Sequence, residues 1–163
     1  MRLSGVVRRL RPNSFVPEKC FPPGKGVVML KLIVGVKGTG KTKALINAVN
    51  SAYEASSGAV VCLEQGEKLR YDIRHQVRLI NTLDYMICDG QSLFGFIAGI
   101  YASNHDITDI FVDSALKICE NDYEEFKVAI EEIARFAEAN NLRCTITASM
   151  PAEDLDESLK KYI

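Results

Sequence analysis

The apolar positions of this chain fall into short runs and helical stripes that alternate along its length. Val27 to Val34 is apolar and rich in β-branched side chains, broken by Lys31 and closed by Gly35, the pattern of a strand buried on both faces. Between Lys41 and Ala55, residues Ala44, Leu45, Ala48, Val49 and Ala52 recur at spacings of three and four. They predict a helix that stops at Ser56-Ser57-Gly58. Ala59 to Leu63 reads as a second strand, and Leu69, Ile73, Val77 and Ile80 predict a second helix over Glu67 to Ile80. A third strand is expected at Leu83 to Cys88, then a helix over Gln91 to Ser103, weakened by Gly95 and Gly99, and a fourth strand at Asp109 to Asp113. Asp122 to Asn140 carries the longest amphipathic stripe, with Phe126, Ile130, Ile133 and Ala137 inward, and Leu142 to Ala148 is the last strand.

Strands separated by helical stretches call for crossovers of one hand and a mainly parallel sheet. The expected fold is therefore α/β: three α/β/α layers around a mainly parallel, five-stranded sheet. At 163 residues the chain has room for one domain, assigned here to residues 29–163. Residues 1–28 hold four of the five prolines and no sustained period, so they read as an N-terminal arm. Met29 opens directly onto the first strand, which leaves a natural start at that methionine as an equal alternative.

Charge divides along the same boundary. The arm carries six basic side chains against Glu18, whereas residues 29–163 hold fourteen basic and twenty acidic ones. An acidic domain repels a phosphate backbone except at local patches, which puts nucleic acid behind small ligands and proteins as a partner. The five cysteines stand singly in or beside apolar runs with no C-x-x-C pair, as expected of buried free thiols in a reducing, cytoplasmic setting. No apolar run approaches the length of a membrane span, so no membrane association is expected.

Chemistry concentrates between the first strand and the first helix, where Gly35-Val36-Lys37-Gly38-Thr39-Gly40-Lys41-Thr42 spells G-x-x-x-x-G-K-T. Glycines let the backbone curl so that its N–H groups converge, and the helix start adds its positive dipole end at the same point. The binding set is Gly35, Val36, Lys37, Gly38, Thr39, Gly40, Lys41, Thr42 and Lys43. In it, Lys41 reaches the β- and γ-phosphates as the catalytic cation and the Thr42 hydroxyl ligates Mg²⁺. A second metal carboxylate is expected at the end of an apolar strand, and Ile110-Phe111-Val112-Asp113 supplies Asp113.

On these residues the chain resembles the P-loop NTPases over roughly residues 29–150, with Gly35 to Thr42 as Walker A and Ile110 to Asp113 as Walker B. At least two strands are expected between the motifs and one after them, which is more similar to the additional-strand branch of RecA-like and helicase-like proteins. Helicase-like members place a glutamate directly after the Walker B aspartate, but Ser114 stands there. RecA-like members carry it at the end of the second strand, where the resemblance makes Glu64 the candidate catalytic base. Thr147 or Ser149 resembles the hydroxyl that reads the γ-phosphate in helicase-like cores. Arg70, Arg74 and Arg78 recur every four residues on the predicted second helix and are candidates for an arginine finger offered to a protein partner or a second copy. The function expected is binding of Mg-ATP with slow hydrolysis. A non-hydrolysing ATP-sensing adaptor and a small-molecule kinase are the alternatives.

Overall fold

A computed structural model describes residues 29–163. The arm before Met29, with Cys20, lies outside the described residues. Strands β1 (Leu30–Gly35), β2 (Ala59–Glu64), β3 (Arg78–Asn81), β4 (Ile107–Val112) and β5 (Arg143–Ser149) form one sheet in the order β1-β5-β4-β2-β3. Every pairing is parallel. The helices are α1 (Lys41–Ala55), α2 (Gly90–Ser103), the one-turn α3 (Ala115–Ile118), α4 (Tyr123–Asn140) and the short α5 (Glu157–Lys160). None is long and apolar enough to cross a membrane.

The strands are apolar throughout because both faces of the sheet are covered, and alternate residues serve two cores. Val61, Leu63, Ile110, Val112, Cys144, Ile146 and Ala148 pack with residues of α2, α3 and α4. Val60, Cys62 and Phe111 turn the other way, onto Leu45 and Val49 of α1 and onto Leu69, Ile73 and Val77. The chain thus advances across the sheet over the α1 face and returns over the α2/α4 face, which keeps the hand of every crossover the same. At the outer edge of β1 the Leu32 N–H donates to the Tyr162 carbonyl at 2.7 Å, so the C-terminal residues blunt that edge.

Two expected elements are replaced. No helix forms over Glu67 to Ile80: this stretch is a series of turns followed by β3. Leu69, Ile73, Val77 and Ile80 are buried as their spacing predicts, but a loop and a strand bury them. Helical hydrogen bonds are pre-empted here by side chains from elsewhere. Glu64 accepts from the N–H groups of Lys68 (2.9 Å) and Leu69 (3.1 Å). Asn50 of α1 donates to the Asp72 carbonyl at 3.0 Å and accepts from the Arg74 N–H at 3.1 Å.

The strand expected at Leu83 to Cys88 is likewise absent; Thr82–Tyr85 is a 3₁₀ turn started by the Asn81 side chain, which accepts from the Leu83 N–H at 3.2 Å. Of the apolar residues in Leu83 to Cys88, Leu83, Tyr85 and Met86 are exposed and Ile87 is buried, so the run lacks the continuous burial that would hold it in the sheet. Of the described cysteines, Cys62, Cys119 and Cys144 are buried, whereas Cys88 is exposed, contrary to expectation. Burial pushes the thiols of Cys119 and Cys144 up to about 12.

Candidate functional site

The loop between β1 and α1 is built around its glycines. Gly38 and Gly40 have φ of 89° and 83°, the left-handed region that favours residues without a Cβ. A Cβ on Gly35 would stand 2.6 Å from the Thr39 hydroxyl oxygen. That hydroxyl donates to the Val36 carbonyl at 2.8 Å, and the Lys41 ammonium donates to the same carbonyl at 2.8 Å. Lys41 therefore folds back over the loop it follows. The first turn of α1 holds no acidic residue, and no side chain caps it. Its early N–H groups and positive dipole end are left for an anion.

This loop forms one wall of a cavity of about 680 Å³ at the carboxyl ends of the strands, where ligands bind in open α/β sheets. Lys37, Lys41 and Thr42 line it from the loop and α1, Lys68, Ser114 and Lys117 from the stretches after β2 and β4, and Thr147 and Ser149 from the end of β5. Four lysines thus face the cavity, and no carboxylate lines it. Val36 and Lys43 are exposed but do not line it.

Asp113 lies just behind this wall. The β4–β5 register pairs Val112 with Ile146, which brings the next residues, Asp113 and Thr147, side by side. The Thr147 hydroxyl donates to Asp113 Oδ1 at 2.9 Å and accepts from the Ser114 N–H at 2.7 Å, while the Ser114 hydroxyl donates to Asp113 Oδ2 at 3.0 Å. The structure therefore gathers Lys41, Thr42, Thr147 and the Asp113–Ser114 turn at one end of the sheet. Asp109, at the other end of β4, makes a two-pronged ion pair with Arg143, both bonds at 2.7 Å.

Glu64 is placed differently. It is 2% exposed, with its carboxylate against the backbone of Lys68 and Leu69, and it lines a neighbouring cavity of about 440 Å³ with Arg70, Arg74 and His75. Burial raises its pKa above the usual carboxylate value; the two backbone N–H donors oppose that shift, and the charges of Asp113 and Glu67 add to it. The three arginines share no helical face. Arg74 pairs with Glu54 of α1, Arg70 lies 4.0 Å from Glu67, and Arg78 is exposed at the start of β3.

Sequence reasoning missed Lys68 and Lys117 as cavity residues. Neither belongs to a spaced motif: one comes from an irregular loop and the other from a four-residue helix.

No protein-family model matches the chain, and no curated protein matches it. Among solved structures, PCH-2 of C. elegans superposes with a TM-score of 0.50 at 17% sequence identity, covering 92% of this chain and 36% of that one. The likeness is one of fold. The chain spans little more than a third of its neighbour's length, and what the two share is an α/β layout with a parallel sheet covered on both sides.

Proposed function

We propose that the chain is a P-loop NTPase domain of the additional-strand branch, which binds Mg-ATP at the Gly35–Thr42 loop and hydrolyses it slowly. The observation that carries this reading is the uncapped start of α1, which opens, beside the left-handed Gly38 and Gly40, onto a cavity lined by four lysines and no carboxylate. A polyphosphate is the ligand that such a wall suits. The branch assignment is supported by β5 lying between the loop strand β1 and the Asp113 strand β4.

For Mg²⁺ the fit rests on Thr42, which lines the cavity, and on Asp113, which lies just behind its wall. Among the described residues no group of three or more His, Cys, Asp or Glu side chains could hold a metal ion by itself. Thr42 and Asp113 offer one hydroxyl and one carboxylate, a set that suits a cation keeping its waters and bound mostly by phosphate oxygens. An ionised carboxylate has about four acceptor sites, and the two hydroxyls at Asp113 leave the others open. When bound, Mg²⁺ would neutralise charge on the β- and γ-phosphate oxygens.

In hydrolysis, a water oxygen bonds to the γ-phosphorus as the bond to the β–γ bridging oxygen breaks, and the leaving diphosphate keeps that electron pair. Lys41 must swing from the Val36 carbonyl onto the phosphates, a motion that exchanges a neutral acceptor for charged ones. Glu64 acts as base in this reading only if its carboxylate leaves the Lys68 and Leu69 N–H groups. Its present engagement favours a second reading, a sensor that binds ATP without turnover. An arginine offered to a second copy would come from Arg70 or Arg78, because Arg74 is held by Glu54.

Phosphate release from Mg-ATP, measured with nucleotide affinity on the same samples and with Lys41→Ala alongside, tests this proposal. Release above the Lys41→Ala level is expected. Tight binding with no release would support the sensor, and unchanged binding by Lys41→Ala would overturn the loop assignment.

A further inference from the structure

The cavity has a second cationic wall that the loop motif does not account for. Lys117 stands on it from α3, and Lys68 stands on it from the irregular stretch after β2. Both positions are anchored. The Lys68 N–H is held by the buried Glu64 carboxylate at 2.9 Å. The Lys117 N–H donates to the Ser114 carbonyl at 2.9 Å, and the Ser114 N–H is in turn fixed on the Thr147 hydroxyl at 2.7 Å.

Backbone conformation around Lys117 is unusual. Ser114, Glu120 and Asn121 have φ of 57°, 53° and 61°, so three of the five non-glycine residues with positive φ among those described lie in this one eight-residue stretch. Such conformations persist only where the surroundings enforce them, and they cluster at ligand clamps. The stretch brings Ser114, Lys117 and Asn121 to the lining of the same cavity as Lys41 and Thr42, with the Ser114 hydroxyl turned back onto Asp113. Four lysines line one space that no carboxylate lines, so their like charges repel across it, and an anion relieves that repulsion.

We infer that Lys117, assisted by Lys68, contacts the terminal phosphate of a bound nucleoside triphosphate, so that the domain distinguishes triphosphate from diphosphate through its own lysines. This rests on the reading of the Gly35–Thr42 loop as the triphosphate site, in which Lys41 reaches the β- and γ-phosphates from the loop side. A terminal phosphate carries about −1.5 to −2 charge near pH 7, so its loss on hydrolysis removes the partner of these lysines. Glu64 then serves as a positioning residue that holds the Lys68 backbone over the cavity, whatever else its carboxylate does.

The test is calorimetric titration of the full chain with a non-hydrolysable ATP analogue and, separately, with ADP, both with Mg²⁺. Wild type, Lys117→Gln, Lys117→Arg, Lys68→Gln and Lys41→Ala are compared. Lys117 and Lys68 are exposed, so these substitutions leave the fold intact. Lys117→Gln is expected to weaken the triphosphate analogue by about tenfold and leave ADP within about twofold, with Lys68→Gln showing a smaller loss of the same kind. Lys117→Arg should restore the preference, and Lys41→Ala should weaken both ligands.

Equal weakening of both ligands by Lys117→Gln, or no change in either, would overturn the inference while the loop reading stands. A wild-type chain that binds neither nucleotide would overturn both.

Discussion

Gly40 joins the loop to α1 with a φ of 83°, and nothing lies within 4 Å of where its Cβ would sit. Replacement by alanine therefore meets no obstruction, and its whole cost is backbone strain. Gly40→Ala is expected to lower stability by about 1–2 kcal/mol, read from a denaturation midpoint, and to weaken nucleotide binding by re-aiming the first N–H groups of α1. Glu64 gives a pH signature at the same scale. A carboxyl whose folded pKa is raised above its unfolded value binds more protons when folded, so stability falls as pH rises from the ordinary value of 4.5 through the raised one, and levels off above it. Urea midpoints measured from pH 4 to 8 should show that fall in the wild type and a flatter profile in Glu64→Gln. The glycine turn and the places of Lys37, Lys41 and Thr42 on the cavity wall were legible because these residues are contiguous in sequence; Gly35, Val36, Thr39 and Lys43, expected with them, do not line the cavity. Lys117 was not, because only the fold of the 114–121 stretch brings it to the cavity.

Among the elements, α1 matches its expected bounds of Lys41 to Ala55, since its stripe, its glycine entry and its Ser-Ser-Gly exit all agree. The stretch from Glu67 to Ile80 had an equally good stripe, and its apolar residues were correctly sorted as buried. What periodicity could not reveal was that Asn50, on another element, would take the Asp72 and Arg74 backbone groups. Asn50→Ala leaves both without that partner. Both bonds are exposed, so water replaces the partner and the expected cost is about 0.5–1.5 kcal/mol, visible as a lower urea midpoint and as faster amide exchange of Arg74. The same substitution should loosen the wall that carries Arg70, Arg74 and His75 while leaving the Gly35–Thr42 loop in place.

For the whole molecule, alternating strands and helices were enough to predict a parallel α/β sheet, because buried strands and crossover helices leave distinct patterns. Strand order was not contained in those patterns. The sheet places β1 at one edge, with β5 as its strand neighbour among the described residues and β4 beyond. The floor between the glycine loop and Asp113 is therefore β5, with Thr147 and Ser149 lining the cavity at its end. Bulk placed there should block binding from below: Ser149→Phe, at an exposed position, is expected to leave thermal stability within about 0.5 kcal/mol yet reduce nucleotide affinity at least tenfold.

The insertion of β5 also sets an order of events during synthesis. The loop motif leaves the ribosome early, but its strand has no partner until residues more than a hundred positions later have followed and slid between β1 and β4. Until then the glycine loop has no rigid strand behind it and no opposite wall. The nascent domain should gain its ligand abruptly and late, at the moment β5 docks, rather than gradually as each segment emerges.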